Sequence, residues 1–410
     1  MSKVVESAKA MMPELIAIRR HFHMYPENSR CEKETSAKVI ELLKEMGVDE
    51  IIENVNGYGV IGVIKGANEG GVVGIRADMD ALQVQEMNDV EFKSRNEGCM
   101  HACGHDAHTA GLIGAGKILC QNRDMINGTV KLIFQPAEEL SPYGGSKGML
   151  ESGHLDDVQA VYGLHVWPDL PHGKVGIKAG PLMAATDHFT INIHGKGAHG
   201  AKPDQGIDAV VLGAQFVMNA QTFVSRKVSP LDNAVVTFGI FNAGTRYNVI
   251  AGDCLLDGTV RTFNPDTRDM IEDSMRKLLD ALCLQTGCTA EIEYGRGYPA
   301  LMNHEKDAAL IRETAVNLFG EEEVVDVALP AMPAEDFSYY LVEKEGCFVW
   351  LGSDTTPEGE TAWPLHNSRF NIDEDLLWRG SSLLAQVAID YLNNEQYDGI
   401  QLLWLYAVFS

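Results

Sequence analysis

The chain has 410 residues, an apolar fraction of 45% and a net charge of −25, from 58 acidic and 33 basic side chains. This length favours two domains, and the acidic balance argues against nucleic acid or an anionic membrane surface as a partner. We find neither a secretory signal nor an apolar run of membrane-spanning length. Because the eight cysteines are scattered and form no disulfide framework, we expect a cytoplasmic protein.

The apolar periodicity of the first 80 residues predicts, in order, a helix at 3–25, a helix at 34–46 and strands at 59–64 and 71–76. The last strand leads to Asp78 and Asp80, which face the same way in an extended chain. These two carboxylates could serve metal chemistry, or they could be turn residues.

A short segment at 100–108 holds three histidines, one cysteine and one aspartate. Cys103 and His105 form a C-x-H pair, and the glycine between them allows a tight bend. The apolar stretch 107–119 predicts a buried helix, with Asp106 at its N-cap. The possible ligands therefore lie at a helix N-terminus, where a thiolate is stabilised. A polar loop with incidental histidines is the alternative.

Two further predicted strands also end in polar side chains. The strand at 128–134 leads to Glu138 and Glu139. Since adjacent side chains point in different directions, one metal ligand and one free base is the natural division of roles. The strand at 158–164 ends at His165. Sites in open α/β sheets form at the carboxyl ends of strands, so we expect these groups to converge.

The pattern changes after residue 180. It predicts, in order, a strand at 186–194, a helix at 206–223, strands at 234–241 and 253–263, a helix at 265–284 and a strand at 289–294. This β-α-β-β-α-β order predicts a four-stranded, ferredoxin-like domain inserted into the first domain. The expected domain ranges are 1–182 and 297–410 for the two parts of the catalytic domain and 183–296 for the insertion.

The third range contains His366 in a late loop, a predicted helix at 373–393 and an apolar stretch at 402–409 to which we assign no role. Earlier in the chain, the glycines at 111–116 fall inside a predicted helix. Their spacing fits no phosphate-binding fingerprint.

Together these stretches resemble the amidohydrolase branch of the aminoacylase and carboxypeptidase-G-type metallopeptidases, which includes hippurate hydrolases and N-acyl-amino-acid amidohydrolases. The matching motifs follow the family's order along nearly the whole chain, at 20–27, 76–82, 100–108, 134–139, 163–165, 195–200, 248–250, 334–337 and 365–367. The resemblance implies an α/β fold: a mixed-sheet, phosphorylase/hydrolase-like catalytic domain with an inserted ferredoxin-like lid or dimerisation domain.

The resemblance also implies a centre with two divalent metal ions, which could be zinc, manganese, cobalt or nickel. Its ligands would be Cys103, His105, Glu139, His165 and His366. Glu138 would be the general base toward a metal-activated water. Asp78 and Asp80 would orient the ligands without binding metal.

In the inserted domain, the resemblance implies that His199 helps to hold the oxyanion across a homodimer. Asn248 lies in a family motif and is a candidate contact for the substrate carboxylate. Arg261 is a second candidate, from its position at a strand end. We interpret the remaining candidate histidines as structural or surface residues: His101, His108, His188, His194 and His304.

The implied activity is metal-dependent hydrolysis of N-acyl amino acids or related small amide conjugates, with a dipeptidase or aminopeptidase-type activity as the alternative. A non-catalytic binding module is disfavoured because the five ligands and Glu138 are all present. A structural zinc protein is disfavoured because paired C-x-x-C knuckles are absent. Gln83, residues 140–143 and Asp204 depart from the family pattern, and they leave the substrate specificity open.

Overall fold

The structure is a computed structural model that describes residues 2–354 and 363–394. Its strands are β1 (Glu50–Val55), β2 (Gly59–Lys65), β3 (Asn68–Asp78), β4 (Asn127–Gln135), β5 (Ala160–Pro171), β6 (Val175–Ile177), β7 (Gly180–Met183), β8 (Ala185–His194), β9 (Ala198–His199), β10 (Ala234–Ala243), β11 (Val249–Ile250), β12 (Asp253–Thr262), β13 (Thr289–Arg296), β14 (Leu301–Asn303), β15 (Val324–Asp326) and β16 (Glu345–Asp354). Its α-helices are α1 (Lys3–Ala10), α2 (Met12–Met24), α3 (Lys33–Met46), α4 (His105–Gln121), α5 (Ser146–Glu151), α6 (Ala209–Thr222), α7 (Pro265–Thr286), α8 (Glu305–Phe319), α9 (Ser338–Glu343) and α10 (Leu376–Leu392). None of the helices in these residues is long and apolar enough to cross a bilayer. The apolar stretch at 402–409 lies outside the described residues.

The described residues form two compact units. The first contains the chain up to Gly180, Met302–Leu329 and the described residues from Tyr339 onward. The second contains Pro181–Leu301 and Pro330–Ser338. The range 183–296, expected for the insertion, falls inside this second unit, which also includes residues 181–182, 297–301 and 330–338 from the ranges expected for the catalytic domain.

An eight-stranded mixed sheet runs through the first unit in the order β1-β2-β4-β3-β5-β16-β6-β15. The central strands β4, β3, β5 and β16 are parallel to one another. Asp78 of β3 pairs with Gln135 of β4, and Arg76 of β3 pairs with Gly163 of β5. The carboxyl ends of these strands therefore lie at one edge of the sheet, where sites form in α/β folds.

Helices α1, α2, α4 and α10 contribute to the large apolar core of the first unit. Small residues allow α4 and α10 to pack closely: a Cβ on Gly114 would lie 2.3 Å from Ser381 Oγ. The glycines at 111–116 therefore belong to a buried helix, α4, as predicted.

Two predictions about helix ends are wrong. The single helix predicted at 3–25 is divided, with α1 ending at Ala10 and α2 beginning at Met12. Pro13 explains the division, because it has no N–H to continue the hydrogen bonds of α1. Asp106 is not the N-cap of α4, since Gly104 holds that position and Asp106 lies inside the first turn.

The second unit has a four-stranded antiparallel sheet in the order β10-β12-β8-β13. Its apolar core combines alternate residues of β8, namely Phe189, Ile191 and Ile193, with apolar residues of α6 and α7. The strand order and the two crossing helices are those of a ferredoxin-like domain. The predicted fold class, a mixed α/β domain with a ferredoxin-like insertion, is confirmed.

Candidate metal centre and active site

Gly104 sets the positions of the two candidate ligands beside it. It adopts φ +85° at the N-cap of α4, and a Cβ there would meet Val166 Cγ2 at 2.4 Å. Glycine is therefore required both by the backbone conformation and by the close approach of β5. The resulting bend places Cys103 just before the helix and His105 at its first residue, both buried.

Cys103 faces His165, with 3.4 Å between Sγ and Nε2. The Nδ1 atom of His165 donates to the carbonyl oxygen of Val166 at 2.6 Å, which leaves Nε2 as a free electron-pair donor. Burial, together with the charges of Glu139 and Glu138, raises the pKa of the Cys103 thiol well above its usual value. A cation at this position would stabilise the thiolate, which is the form that binds metal.

His105 has the same arrangement as His165. Its Nδ1 atom donates to the backbone oxygen of Asp80 at 2.8 Å, whereas its buried Nε2 has no hydrogen-bond partner among the described residues. Burial lowers the pKa of this imidazole, but the carboxylates of Asp78 and Asp80 outweigh it and raise the pKa to about 10. The carboxylates around His105 therefore favour a positive charge next to them, which a metal ion at Nε2 would also supply.

Glu139 and His366 form the other side of the cluster. Glu139 Oε1 lies 3.3 Å from His366 Nε2 and 3.9 Å from His105 Nε2, and it is buried without a hydrogen-bond partner among the described residues. His366 has φ +64°, and its N–H donates to the carbonyl of Ala102, so the late loop is attached directly to the Cys103 segment.

Asp80 holds the turn that carries the two glutamates. Its Oδ1 accepts the N–H of Glu138 and its Oδ2 accepts the N–H of Glu139, both at 3.0 Å. Ser29 Oγ donates to the same carboxylate at 2.6 Å. With its backbone oxygen bonded to His105, Asp80 orients three predicted site residues.

Asp78 has both carboxylate oxygens occupied. One accepts from Arg76 and the other from His108 Nδ1, each at 2.6 Å. The N–H of Val166 donates to His108 Nε2 at 2.9 Å, so both ring nitrogens of His108 are also used. These bonds support orienting roles for Asp78 and His108 and leave no free ligand atom on the His108 ring.

Several sets of possible ligand atoms lie close together, and two of these groups share Cys103. Cys103, His105 and His165 form one, and Cys103, Glu139 and His366 form the other, with the ligand atoms of each group within 4.8 Å of one another. Sulfur, imidazole and carboxylate are ligands that zinc and related divalent metals accept. The unpartnered Nε2 of His105 and Oε1 of Glu139 fit such ions, because a buried polar atom without a partner is unfavourable unless an ion completes it.

A buried charged network behind the centre was not predicted. Asp106 Oδ2 accepts from Arg19 Nε and from His23 Nδ1, both at 2.8 Å, and His23 Nε2 lies 3.1 Å from Glu86 Oε1. Burial lowers the pKa of His23, but the two carboxylates outweigh it and raise the pKa. The family motif at 20–27 was the one signal in this region, and it indicated no partner for His23.

The three candidate residues of the inserted domain lie in the second unit. His199 pairs with Val249 between β9 and β11, and the N–H of Gly200 donates to the carbonyl of Asn248 at 2.8 Å. His199 Nδ1 accepts the N–H of Ala201 at 3.0 Å, which leaves Nε2 of this exposed ring free to act. Asn248 Oδ1 is buried without a hydrogen-bond partner among the described residues.

Arg261 makes no hydrogen bond to His199 or Asn248 among the described residues. It is on β12, where its guanidinium donates to Thr259 Oγ1 and to the carbonyl of Val260. His199 and Asn248 therefore lie next to each other, at the short β9–β11 pair. These two hydrogen bonds of Arg261 stay within its own strand.

The parallel central strands of the mixed sheet bring buried sulfur, imidazole and carboxylate groups to one edge, an arrangement suited to metal-dependent hydrolysis. Comparison with known proteins gives the family: the model of peptidase family M20/M25/M40 matches residues 74–390. The chain belongs to this family and is a metal-dependent hydrolase of amide bonds, which confirms the resemblance found in the sequence.

Three similar proteins illustrate the family. The N-acyl-L-amino acid amidohydrolase of Geobacillus stearothermophilus is 44% identical over 293 residues, which cover 72% of this chain and 79% of that protein. Thermostable carboxypeptidase 1 of Saccharolobus solfataricus is 35% identical over 381 residues, 92% of this chain and 95% of that protein. The crystal structure of the Bacillus subtilis YXEP protein, described as a dinuclear metal binding peptidase, has a TM-score of 0.82 and 37% identity over 94% of this chain and 99% of that chain.

Proposed function

We propose that the protein hydrolyses the amide bond of N-acyl amino acids or related small amide conjugates. The observation that carries the proposal is the pair of ligand groups that share Cys103, with Glu138 within 4.8 Å of His105 and Glu139. The Geobacillus relative supports the substrate class through its name.

We propose that the centre holds two divalent ions in each subunit. Cys103, His105 and His165 would hold one ion, and Cys103, Glu139 and His366 the other. The thiolate suits zinc, whereas the imidazole and carboxylate ligands also admit manganese, cobalt or nickel. When bound, the ions would supply Lewis acidity, which acidifies water and polarises the scissile carbonyl.

Glu138 would act as the general base. Asp80 fixes its backbone N–H, and its buried side chain belongs to the same acidic turn as the ligand Glu139. Glu138 would accept a proton from the attacking water and deliver it to the nitrogen of the leaving amine. Asp78 and Asp80 would keep His105 and the turn in place through the bonds described above.

The second unit would supply the remaining contacts. His199 Nε2 would donate to the developing oxyanion, and the side-chain N–H groups of Asn248 and Arg261 are candidates for holding the substrate carboxylate. We propose that this unit forms a homodimer. Supporting this, the edge strand β10 exposes Ile240 and Phe241, and α6 exposes Met218 to 70%.

We also propose a cytoplasmic location. All eight cysteines are free thiols, including Cys103, whose role needs the reduced form.

The roles of the two adjacent glutamates can be tested separately. We expect Glu138→Gln to lower kcat by a factor of about 10² to 10⁴ while both metals stay bound, because it removes a base and not a ligand. Its matched control, Glu139→Gln, should deplete the bound metal. Metal content by elemental analysis and turnover of N-acyl amino acids measure the two effects, and loss of metal from Glu138→Gln would refute the assignment.

Cys103→Ala tests the shared ligand. We expect this variant to lose metal from both groups, since Cys103 belongs to both. Full metal content with normal turnover would exclude the thiolate as a ligand.

A peptidase activity is the second candidate, favoured by the carboxypeptidase name of the Saccharolobus relative. The two substrate classes differ in the group acylating the released amino acid: an N-acyl amino acid carries a simple acyl group there, whereas a dipeptide carries an aminoacyl group with a charged α-amine. Assays of N-acetyl and N-benzoyl amino acids beside matched dipeptides, with each metal in turn, would separate them.

A further inference from the structure

A buried carboxylate outside the predicted site supports the turn that carries the two glutamates. Glu32 is completely buried and directly precedes α3. Its Oε1 accepts the N–H of Ala137 at 2.8 Å, whereas its Oε2 has no hydrogen-bond partner among the described residues.

Ala137 is the residue at which the chain leaves β4 for Glu138. It has φ +57°, a conformation that costs an alanine on the order of 1 kcal/mol and persists only when its surroundings impose it. Glu32 binds the N–H of this residue, and Asp80 binds the N–H groups of the next two. Two buried carboxylates thus hold three successive N–H groups of the turn.

A negative charge on Glu32 has no cationic partner. No cationic side chain contacts Glu32 among the described residues, and Asp80 lies close enough to repel it. A buried charge without a cationic partner is unfavourable. The carboxyl group instead accepts backbone N–H groups: those of its own loop at Arg30 and Glu32, and that of Ala137, the strained residue of the turn.

We propose that Glu32 is a positioning residue, which holds Ala137 in its left-handed conformation and so aims Glu138 and Glu139. The inference rests on the proposed roles of these two glutamates. It assigns the function of Glu32 to the location of its acceptor oxygen, not to its charge.

Two conservative variants separate acceptor from charge. Glu32→Gln keeps an acceptor oxygen at the same reach and loses the charge. Glu32→Asp keeps the charge, but the side chain is one methylene shorter, so the carboxylate is withdrawn from the N–H of Ala137. We expect Glu32→Gln to retain kcat within about threefold. We expect Glu32→Asp to lose about 10- to 100-fold in kcat and in metal affinity, with KM little changed, since residues that orient ligands have effects of this size.

The measurements are kcat and KM of the metal-loaded enzyme, metal affinity by titration of the metal-free protein, and Tm of both forms. Asp307→Asn is the matched control, because Asp307 is a fully buried carboxylate of the same unit that accepts from Tyr162 and does not touch the turn. It should lower Tm and leave kcat and metal affinity unchanged.

The opposite ranking, with Glu32→Asp active and Glu32→Gln impaired, would overturn the proposal, as would normal metal affinity and kcat in both. Equal losses in Asp307→Asn and Glu32→Asp would also overturn it, because they would indicate general destabilisation. Glu138→Gln in the same assays distinguishes the two levels of inference. Normal turnover of that variant refutes the proposed function, whereas an inactive Glu138→Gln beside a normal Glu32→Asp refutes only the positioning role.

Discussion

At the residue scale, the environment of Nε2 decides which of three clustered histidines can bind metal, because Nδ1 is hydrogen-bonded in all of them. His105 and His165 each give Nδ1 to a backbone carbonyl, and each keeps Nε2 for the centre. His108 uses both nitrogens, because Asp78 and the N–H of Val166 occupy them. Of these three neighbouring histidines, His105 and His165 can therefore offer a nitrogen to a metal, whereas His108 cannot.

Glu32 also makes stability depend on pH. Burial and the nearby Asp80 raise the pKa of Glu32 from 4.5 to about 7. The folded, metal-free protein therefore binds this proton more tightly than the unfolded chain does. The resulting stabilisation is fully present below pH 4.5 and is lost as the pH rises to about 7.

Glu32→Gln cannot ionise, so it should escape this loss. Between pH 4.5 and about 7 we expect the metal-free variant to gain stability relative to the wild type, by on the order of 3 kcal/mol in total, and the difference to stay constant above that range. Thermal unfolding of both proteins across the range measures it. A difference that does not change with pH would show that Glu32 titrates at its ordinary value.

The sequence predicts which residues lie near the ends of strands, but it does not predict which buried polar side chains bond to each other. Glu138 and Glu139 follow a recognisable strand and His165 lies on another, so their convergence could be predicted from the order of the elements. The prediction that the second strand ends at His165 is wrong, because β5 continues to Pro171. Glu32 and His23 could not be found in this way, because their partners Ala137 and Asp106 lie 105 and 83 residues away. A contact over such a separation leaves no periodic pattern along the chain.

At the element scale, glycines determine how α4 packs. A Cβ on Gly114 would lie 2.9 Å from Ser381 Cβ and from Leu15 Cδ2, whereas a Cβ on Gly111 would meet nothing within 4 Å. The sequence predicts a buried helix here, but it does not tell which glycine is required. That distinction depends on the partner helix α10.

The same substitution at these two positions should have opposite effects. We expect Gly114→Ala to destabilise the protein by about 1–3 kcal/mol, because the methyl group overpacks the contact with α10. Gly111→Ala should be neutral or stabilise by up to about 1 kcal/mol, because alanine favours the helix. Denaturant unfolding of both variants provides the test, and equal effects would exclude helix packing as the reason for Gly114.

At the scale of the whole molecule, the residues with proposed roles are distributed over the two units. Glu138 and all five proposed ligands lie in the first unit, and His199 and Asn248 lie in the second. The second unit has its own apolar core and a complete ferredoxin-like sheet. It is therefore a complete module in its own core and sheet, and its proposed role through His199 can be tested separately from the metal centre.

The family resemblance implies that His199 serves the active site of the other subunit, and mixed dimers test this. His199→Ala and Glu138→Gln each remove one proposed component, so each homodimer should be inactive. In a mixed dimer, the subunit with His199→Ala keeps its Glu138 and receives His199 from its partner. One of the two sites is then complete, and the other lacks both groups.

If the two variants exchange at random, half of the dimers are mixed and each has one complete site, so about a quarter of the wild-type activity should return. Two affinity tags allow the mixed dimers to be purified, and these should reach about half of the wild-type turnover per dimer. Verified mixed dimers without activity would show that His199 acts within its own subunit, and an active His199→Ala homodimer would show that His199 is not needed. A protein that stays monomeric in solution would exclude the shared site altogether.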